Sequence, residues 1–540
     1  MEKWLILLFP ICLWAQTAML IFPGAEGFGV ETFAGSGRHH VVSPVSTQII
    51  HVTTLANTGA GSLRTALTTD LGTDGNGELI SRTIVFDVSG YIDLASDITI
   101  NRSFITVAGQ TSPDGICIRR YGIRISGHDI LIQHLAIRPG DEGRVADGTW
   151  NNLDCLQVNG GYNIVLDHMS YSWGIDENAS IWGSNVHDVT FSNLIIAEGL
   201  QLSAHTDGVH SKGLLIGGSG NNPKNIAVIK VLFAHNNDRH PQLKEGTHVV
   251  IANTVAYNCN YAYSWAVMTR DPSYSPDAIL ASWMGNTAID GPNWVSGSKY
   301  INVSSTVAAA VGTQVYQNDN LHVQRPSITY TDGVGVTVGT PPIVCPNLTV
   351  LTREAGLLAV LTNAGSRPAF RDAVDTRIAD PEAGEVISRT GAVTNHSPTV
   401  WPVYGTTVRV FDEGTNPHGI SGSGYTNLEV LIHAAASLVE LGTIPSPAEE
   451  YFTVSSKAVQ PVSLSISPNP SNGTIRLFLN GTKESAMVSI FDISGRVVHS
   501  VLLSGEKSFC LNGNIANGVY FARLYIKNRV VNTVKFLAIR

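Results

Sequence analysis

"HDILIQHLAIR", residues 128–138, and "YNIVLDHMSYSW", residues 162–173, share one design. Each opens on a polar residue, then alternates Ile, Val or Leu with polar partners, and breaks once in the middle, at His134 and at His168. "HDVTFSNLIIAE" from His187, "KNIAVIKVLFAHN" from Lys224 and "HVVIANTVAYN" from His248 follow the same plan. A period of two with many β-branched residues speaks for strands and against helices. The break marks a bend, after which a second short strand starts. Aligning the first apolar positions (Ile130, Ile164, Val189, Ile226 and Val249) gives steps of 34, 25, 37 and 23 residues. One such unit cannot bury its own apolar face, but stacked copies can. Unequal steps mean that loops of different length leave a constant coil. The fold expected is all-β, a right-handed single-stranded parallel β-helix. A β-sandwich is the alternative, but it would want hairpin turns between neighbouring strands, and those are sparse.

Composition agrees. Of 540 residues, 43% are hydrophobic and only 14% charged, so a large core is expected and disorder is not. The 52 glycines and the scarcity of Ala/Leu/Glu/Lys runs favour a turn-rich β protein. A net charge of −9 speaks against a nucleic-acid partner. It also means that a polyanionic substrate must meet a local basic cluster or a bound cation. Cys117, Cys155, Cys259, Cys345 and Cys510 are scattered, with no CxxC pair, and read as free thiols rather than a disulfide framework or a thiolate metal site.

The chain divides by pattern. "MEKWLILLFPICLWAQTA", residues 1–18, has a charged start at Lys3, an apolar run from Trp4 to Trp14 and small residues at Ala15 and Ala18 for a cut, which is the pattern of a signal peptide. Residues 19–442 carry the coils. Near their end two stretches turn helical, one around Leu357, Val360 and Leu361 and one over 425–442, both expected to pack on the flank of the stack. Residues 443–462 read as a linker, and 463–540 as six or seven alternating strands forming a small β-sandwich.

Further stretches carry a resemblance. "FPGAEGFG" (22–29), "GAGSLRTAL" (59–67), "RTIVFDVSGYI" (82–92), "ITVAGQTSPDG" (105–115), "AIRPGD" (136–141), "NAGSRPAFRDAVDTRI" (363–378) and "GYTNLEV" (424–430) together resemble the pectate lyases of polysaccharide lyase family 1. "SPNPSNGTIRL" (467–477), "IFDISGRVV" (490–498) and "GVYFARL" (518–524) resemble a type IX secretion C-terminal sorting domain. The resemblance implies a secreted or cell-surface enzyme, exported by the type IX machinery and acting on polygalacturonate or pectin as a monomer. The reaction implied is a calcium-assisted β-elimination that leaves a 4,5-unsaturated sugar.

It also implies roles. Asp154, Asp176 and Glu177 would hold Ca2+, with Ser180 standing where the family often has a further Asp. Arg239, the first arginine of the family's Arg-x-Pro motif, would be the base. Lys212 and Lys244 would bind substrate carboxylates, Lys244 in place of a second arginine, with His240 beside them. Asp167 and His168 match the family's Asp-His pair and would be structural. Three other readings stand beside this one: a pectin lyase acting on methylated chains without calcium, a non-catalytic β-helix that binds glycans or mediates adhesion, and a hydrolase for which Asp207 in "HTDGVHSKG" would be a remnant of the acidic pair.

Overall fold

The computed structural model describes residues 19–40, 47–218, 220, 222–259, 266–268, 277–294, 301–303, 312–326 and 336–443, and seven strands between 463 and 538. The signal-peptide residues and nearly all of the linker lie outside the described residues. The chain forms two units, Met1–Ala448 and Glu449–Arg540.

The first unit is a right-handed parallel β-helix. Three parallel sheets of ten, eight and nine strands run along it, and each coil gives one strand to each sheet over most of the length. The aligned apolar positions are partners in register: Ile130 with Ile164, Ile164 with Val189, Val189 with Ile226, and Ile226 with Val249. The same row continues to Ile105 at one end and Ala281 at the other. All seven side chains are buried in the interior stack. A one-residue slip in any coil would turn its whole apolar set outward, so the pattern fixes the register.

The mid-segment breaks are sharp corners. His134 (φ 59°), His168 (φ 49°), Asn193 (φ 55°), Lys230 (φ 54°) and Asn253 (φ 54°) each occupy the left-handed region between a strand of the ten-stranded sheet and one of the nine-stranded sheet. Trp173, Glu198, His235 and Asn258 do the same where the chain leaves the nine-stranded sheet. Asn fits such a corner readily, while a bulky side chain there costs about 1–2 kcal/mol. The corners also strand backbone groups inside the stack, and side-chain amides meet them. Asn286 donates to the Ile251 carbonyl (3.1 Å) and to Asn320 Oδ1 (2.9 Å), and its own Oδ1 accepts from the Thr254 N–H (2.8 Å). Beneath the eight-stranded sheet, Asn178 donates to Asn236 Oδ1 (3.0 Å) and to the Ala197 carbonyl (2.9 Å).

The two expected helices are Arg353–Asn363 and Asn427–Leu441. Val360 and Leu361 share a buried cluster with Ile195, Leu232 and Val255 on the coils. Leu428 and Ile432 pack with Val85, Ala108 and Phe411. Thr426 and Glu429 form a reciprocal cap at the second helix, and the Arg38 guanidinium grips both oxygens of Glu429. Between the helices, fully buried Arg138 reaches Asp372 (2.7 Å) and Asp375 (2.9 Å), pinning a segment more than 230 residues away to its coil. Cys117, Cys155, Cys259 and Cys345 are buried free thiols.

The second unit has two antiparallel sheets. One holds Ser463–Ser467, Thr474–Asn480 and Ser508–Asn512; the other holds Ala486–Asp492, Val497–Leu503, Gly518–Ile526 and Arg529–Ala538. No helix among the described residues is long and apolar enough to cross a membrane.

Candidate active site

The eight-stranded sheet carries the charged residues that matter. Glu177 opens the strand Glu177–Trp182 and stands in register with Lys212, which opens Lys212–Gly217. Leu156 pairs with Ala179, so Asp154, two residues earlier, falls level with Glu177. On the other side Lys212 bridges to Asp238. Successive coils therefore line up Asp154, Glu177, Lys212 and Asp238 at one corner of the stack.

Contacts tie this row together. Asp154 Oδ1 accepts from the Glu177 N–H (3.2 Å), and its Oδ2 accepts a short hydrogen bond from the Ser180 hydroxyl. Lys212 Nζ donates to Asp238 Oδ2 at 3.0 Å. Arg239 is ion-paired with Glu177 through Nη1 and lies 3.6 Å from Asp238 through Nε. Its backbone is left-handed, at φ 68°, and its side chain is 21% exposed. Burial pushes the Arg239 guanidinium below its ordinary value, while the Asp176 and Asp154 carboxylates pull it back up. Asp154 is held well above the usual carboxylate range by burial and by the neighbouring Asp176, with the Ser180 hydroxyl, Arg124 and Arg239 opposing.

Asp154, Asp176 and Glu177 each bring a carboxylate oxygen within 4.8 Å of the others. Three acids at that separation repel unless one is protonated or a cation joins them, as the Arg239 guanidinium does at Glu177. Carboxylates and a hydroxyl are hard oxygen donors, a set that suits a cation such as calcium better than a soft metal. The residues present fit such an ion. Ser180 stands in the strand as a donor to Asp154 rather than as a further carboxylate.

The remaining candidates fall in different places. Lys244 follows the strand Gln242–Leu243, and its stem lies over Gly217, where any Cβ would come within 2.5 Å of Lys244 Cγ. That puts it at the far end of the Lys212–Gly217 strand, about 16 Å from Lys212 at 3.3 Å per residue. His240 is 2% exposed, with its ring edge toward Phe233, so it sits under the surface rather than on it. Asp167 and His168 are buried at a different corner, where the ten-stranded sheet gives way to the nine-stranded one; Asp167 accepts from His168 (2.8 Å), Ser192 (2.7 Å) and Asn193 (2.9 Å). Asp207 has a side chain 74% exposed, and the ionisable group it approaches is the His205 imidazole (3.9 Å) rather than a second acid.

Sequence reading passed over three neighbours of the row. Asp238 is adjacent to Arg239 in the chain, yet only the stacking shows that it bridges to Lys212. His205 and His210 both face Asp176, at 3.7 Å and 2.9 Å from its Oδ1. Their one sequence signal is the pair of imidazoles in "AHTDGVHSKG", residues 204–213.

Both units have known counterparts. A "Probable pectate lyase C" of Aspergillus flavus is 27% identical over 439 residues, spanning 80% of this chain and 90% of that protein. The protein of the same name from Aspergillus oryzae is 28% identical over 438 residues, again 80% and 90%. A solved pectate lyase of Paenibacillus sp. 0602 covers 65% of this chain and 97% of its own, at 12% identity and a TM-score of 0.41. Residues 465–540 match the secretion system C-terminal sorting domain. The class is that of an enzyme homologue built on a β-helix and carrying an export domain. More narrowly, the chain is a homologue of the pectate lyases that ends in a secretion sorting domain, which indicates secretion or cell-surface export.

Proposed function

We propose that the chain cleaves polygalacturonate by β-elimination with calcium, after export by a type IX route. The observation that carries this reading is the convergence of three carboxylates, Asp154, Asp176 and Glu177, beside two cationic side chains, Lys212 and Arg239. An anionic polymer needs positive charge to settle on a chain with a net charge of −9. Asp154, Asp176 and Glu177 would hold the ion, and when bound it lends positive charge to the substrate carboxylate, making the adjacent C5 proton more acidic.

The protein's own residues supply the rest. Lys212 meets a uronate carboxylate as a point charge, and Lys244, about 16 Å away at the other end of the same strand, meets another. Arg239, released from Glu177, takes the C5 proton. The electron pair left on C5 forms the C4–C5 double bond, and the C4 glycosidic oxygen departs and takes up a proton from solvent. A guanidine base is effective only where the neutral form is within reach, so burial of Arg239 and an alkaline medium both favour the step. His240 is assigned to supporting the turn rather than to touching sugar, because it is buried.

The test is ultraviolet absorbance during incubation with polygalacturonate at alkaline pH, since only a lyase product conjugates its new double bond with a carboxylate. A rise that vanishes with a chelator and in Arg239→Ala is expected. A rise on methylated pectin that a chelator leaves intact would replace this reading with the pectin lyase one. No rise on either polymer, with the protein folded, would leave glycan binding or a lyase for another uronic acid polymer.

A further inference from the structure

Lys212, assigned above to a uronate carboxylate, already meets a carboxylate of the protein itself. Its Nζ donates to Asp238 Oδ2 at 3.0 Å, and the two side chains are only 10% and 19% exposed. The stack builds this contact in. Lys212 and Asp238 bridge through their backbones on adjacent coils, and the Gly213 N–H donates to the Asp238 carbonyl at 3.0 Å. Asp238 also faces a second cation. Its Oδ1 and Arg239 Nε are both buried without a hydrogen bond among the described residues, and they lie 3.6 Å apart. Leaving an acceptor and a donor unpaired side by side is costly, and a small turn of either side chain would join them. Asp238 thus has one cation in hand and another within reach.

A sugar unit arriving at Lys212 meets this arrangement differently according to its charge. A free carboxylate competes with Asp238 for the ammonium. The displaced Asp238 turns to Arg239 Nε, so no buried acid is left without a cation. A methyl ester brings Lys212 no charge, and the Lys212–Asp238 pair stays closed while the ester binds. The acid therefore forgoes part of what the ammonium could give. The ester is spared the cost of leaving a nearly buried ammonium without a counter-charge. Specificity is a difference between two affinities, and Asp238 narrows that difference from both sides.

We infer that Asp238 is a specificity-determining residue: as the resident counter-ion of Lys212, it sets how strongly the site prefers a free uronate to its methyl ester at that position. The inference rests on the reading of Lys212 as a substrate contact given above. Asp238 acts through Lys212, so it is a positioning residue for the reaction and not a catalytic one.

The experiment compares initial rates on polygalacturonate and on partly methylated pectin, with calcium, for the full chain and for its Asp238→Asn and Asp238→Glu variants. Asparagine keeps the shape and removes the charge, while glutamate keeps the charge. The ratio of kcat/KM on the acid polymer to that on the ester should rise about fivefold or more in Asp238→Asn, through a lower KM on polygalacturonate. In Asp238→Glu it should stay within about twofold of the wild type. A merely structural role would weaken both polymers together and leave the ratio where it was. A ratio that is unchanged or lower in folded Asp238→Asn overturns the inference, and so does an equal rise in Asp238→Glu. If Asp238→Asn does not fold, Asp238→Ser takes its place with the same rise expected. If the wild type forms no unsaturated product, calorimetric affinities for an oligogalacturonide and for its methyl ester replace the rates. A preference for the acid that still rises in Asp238→Asn then supports the inference while the lyase reading fails. A preference that does not move, or no binding of either oligomer, overturns both.

Discussion

His168 should make the β-helical unit lose stability as the medium turns alkaline. Burial pushes its imidazole down, but the Asp167 and Glu440 carboxylates more than offset this, with Lys230 opposing, and its pKa stands at about 9 against an ordinary 6.5. A base whose pKa is raised by folding stabilises the native state fully below its unfolded value. That contribution is lost as pH rises through the folded value, here between roughly 6.5 and 9. With these two values, linkage gives about 2.5 kcal/mol at pH 7, about 0.4 kcal/mol at pH 9 and almost nothing at pH 10. For a unit of this size, at ~2.1 cal/mol/K per residue, unfolding carries an entropy of roughly 0.9 kcal/mol/K, so the loss from pH 7 to 10 is worth about 3 °C in Tm. His168→Asn is the right perturbation, because asparagine keeps the left-handed corner at φ 49° while removing the titration. Thermal melts of both proteins at pH 7, 8, 9 and 10 share every other titrating group. The difference between the two Tm values should shrink by about 3 °C across that range. Parallel curves would refute the reasoning and mean that His168 is neutral in the folded protein. The proposed reaction favours alkaline pH, so activity and stability should pull in opposite directions there.

Further tests follow from other contacts. Arg138→Leu leaves Asp372 and Asp375 buried without their cation and should cost about 3–5 kcal/mol in denaturant unfolding; a loss below about 1 kcal/mol would mean the segment is held by packing alone. Ser180→Asp adds a carboxylate against Asp154, so Tm should fall in chelator and recover with calcium. A variant whose Tm ignores calcium would count against the oxygen site. Asn286→Ala strips partners from the Thr254 N–H, the Ile251 carbonyl and Asn320, and should cost about 1–3 kcal/mol; hydrogen exchange at Thr254 would report the local opening.

Local physics made much of this molecule legible. Alternation with a single break gave the strand pairs and their register, because an apolar side chain tolerates only one face of a sheet. Ile130, Ile164, Val189, Ile226 and Val249 are neighbours despite steps that vary from 23 to 37 residues. The helices Arg353–Asn363 and Asn427–Leu441 were visible in the shared face of Leu357, Val360 and Leu361 and in the stretch 425–442. What escaped depends on distant chain segments meeting. Arg138 gives no sign of Asp372 and Asp375, which lie 234 and 237 residues on. The bridge from Asp238 to Lys212 exists only because two coils stack, and the pair His205 and His210 reaches Asp176 across a loop whose path no periodicity encodes. Burial of His240 follows from the turn at Arg239, which a motif read as letters does not contain.

The constant register has a consequence for how such a chain can change. Neighbouring coils are spaced by about 4.8 Å, so residues at one corner stand at fixed intervals along the axis like marks on a ruler. Asp154, Glu177, Lys212 and Asp238 occupy four consecutive marks and span about 14 Å. Adding or deleting a whole coil beyond either end would lengthen or shorten the stack without shifting those four. Lengthening a loop between strands would alter what overhangs them and leave their spacing untouched. Stack length, overhanging loops and the charged row can therefore vary independently.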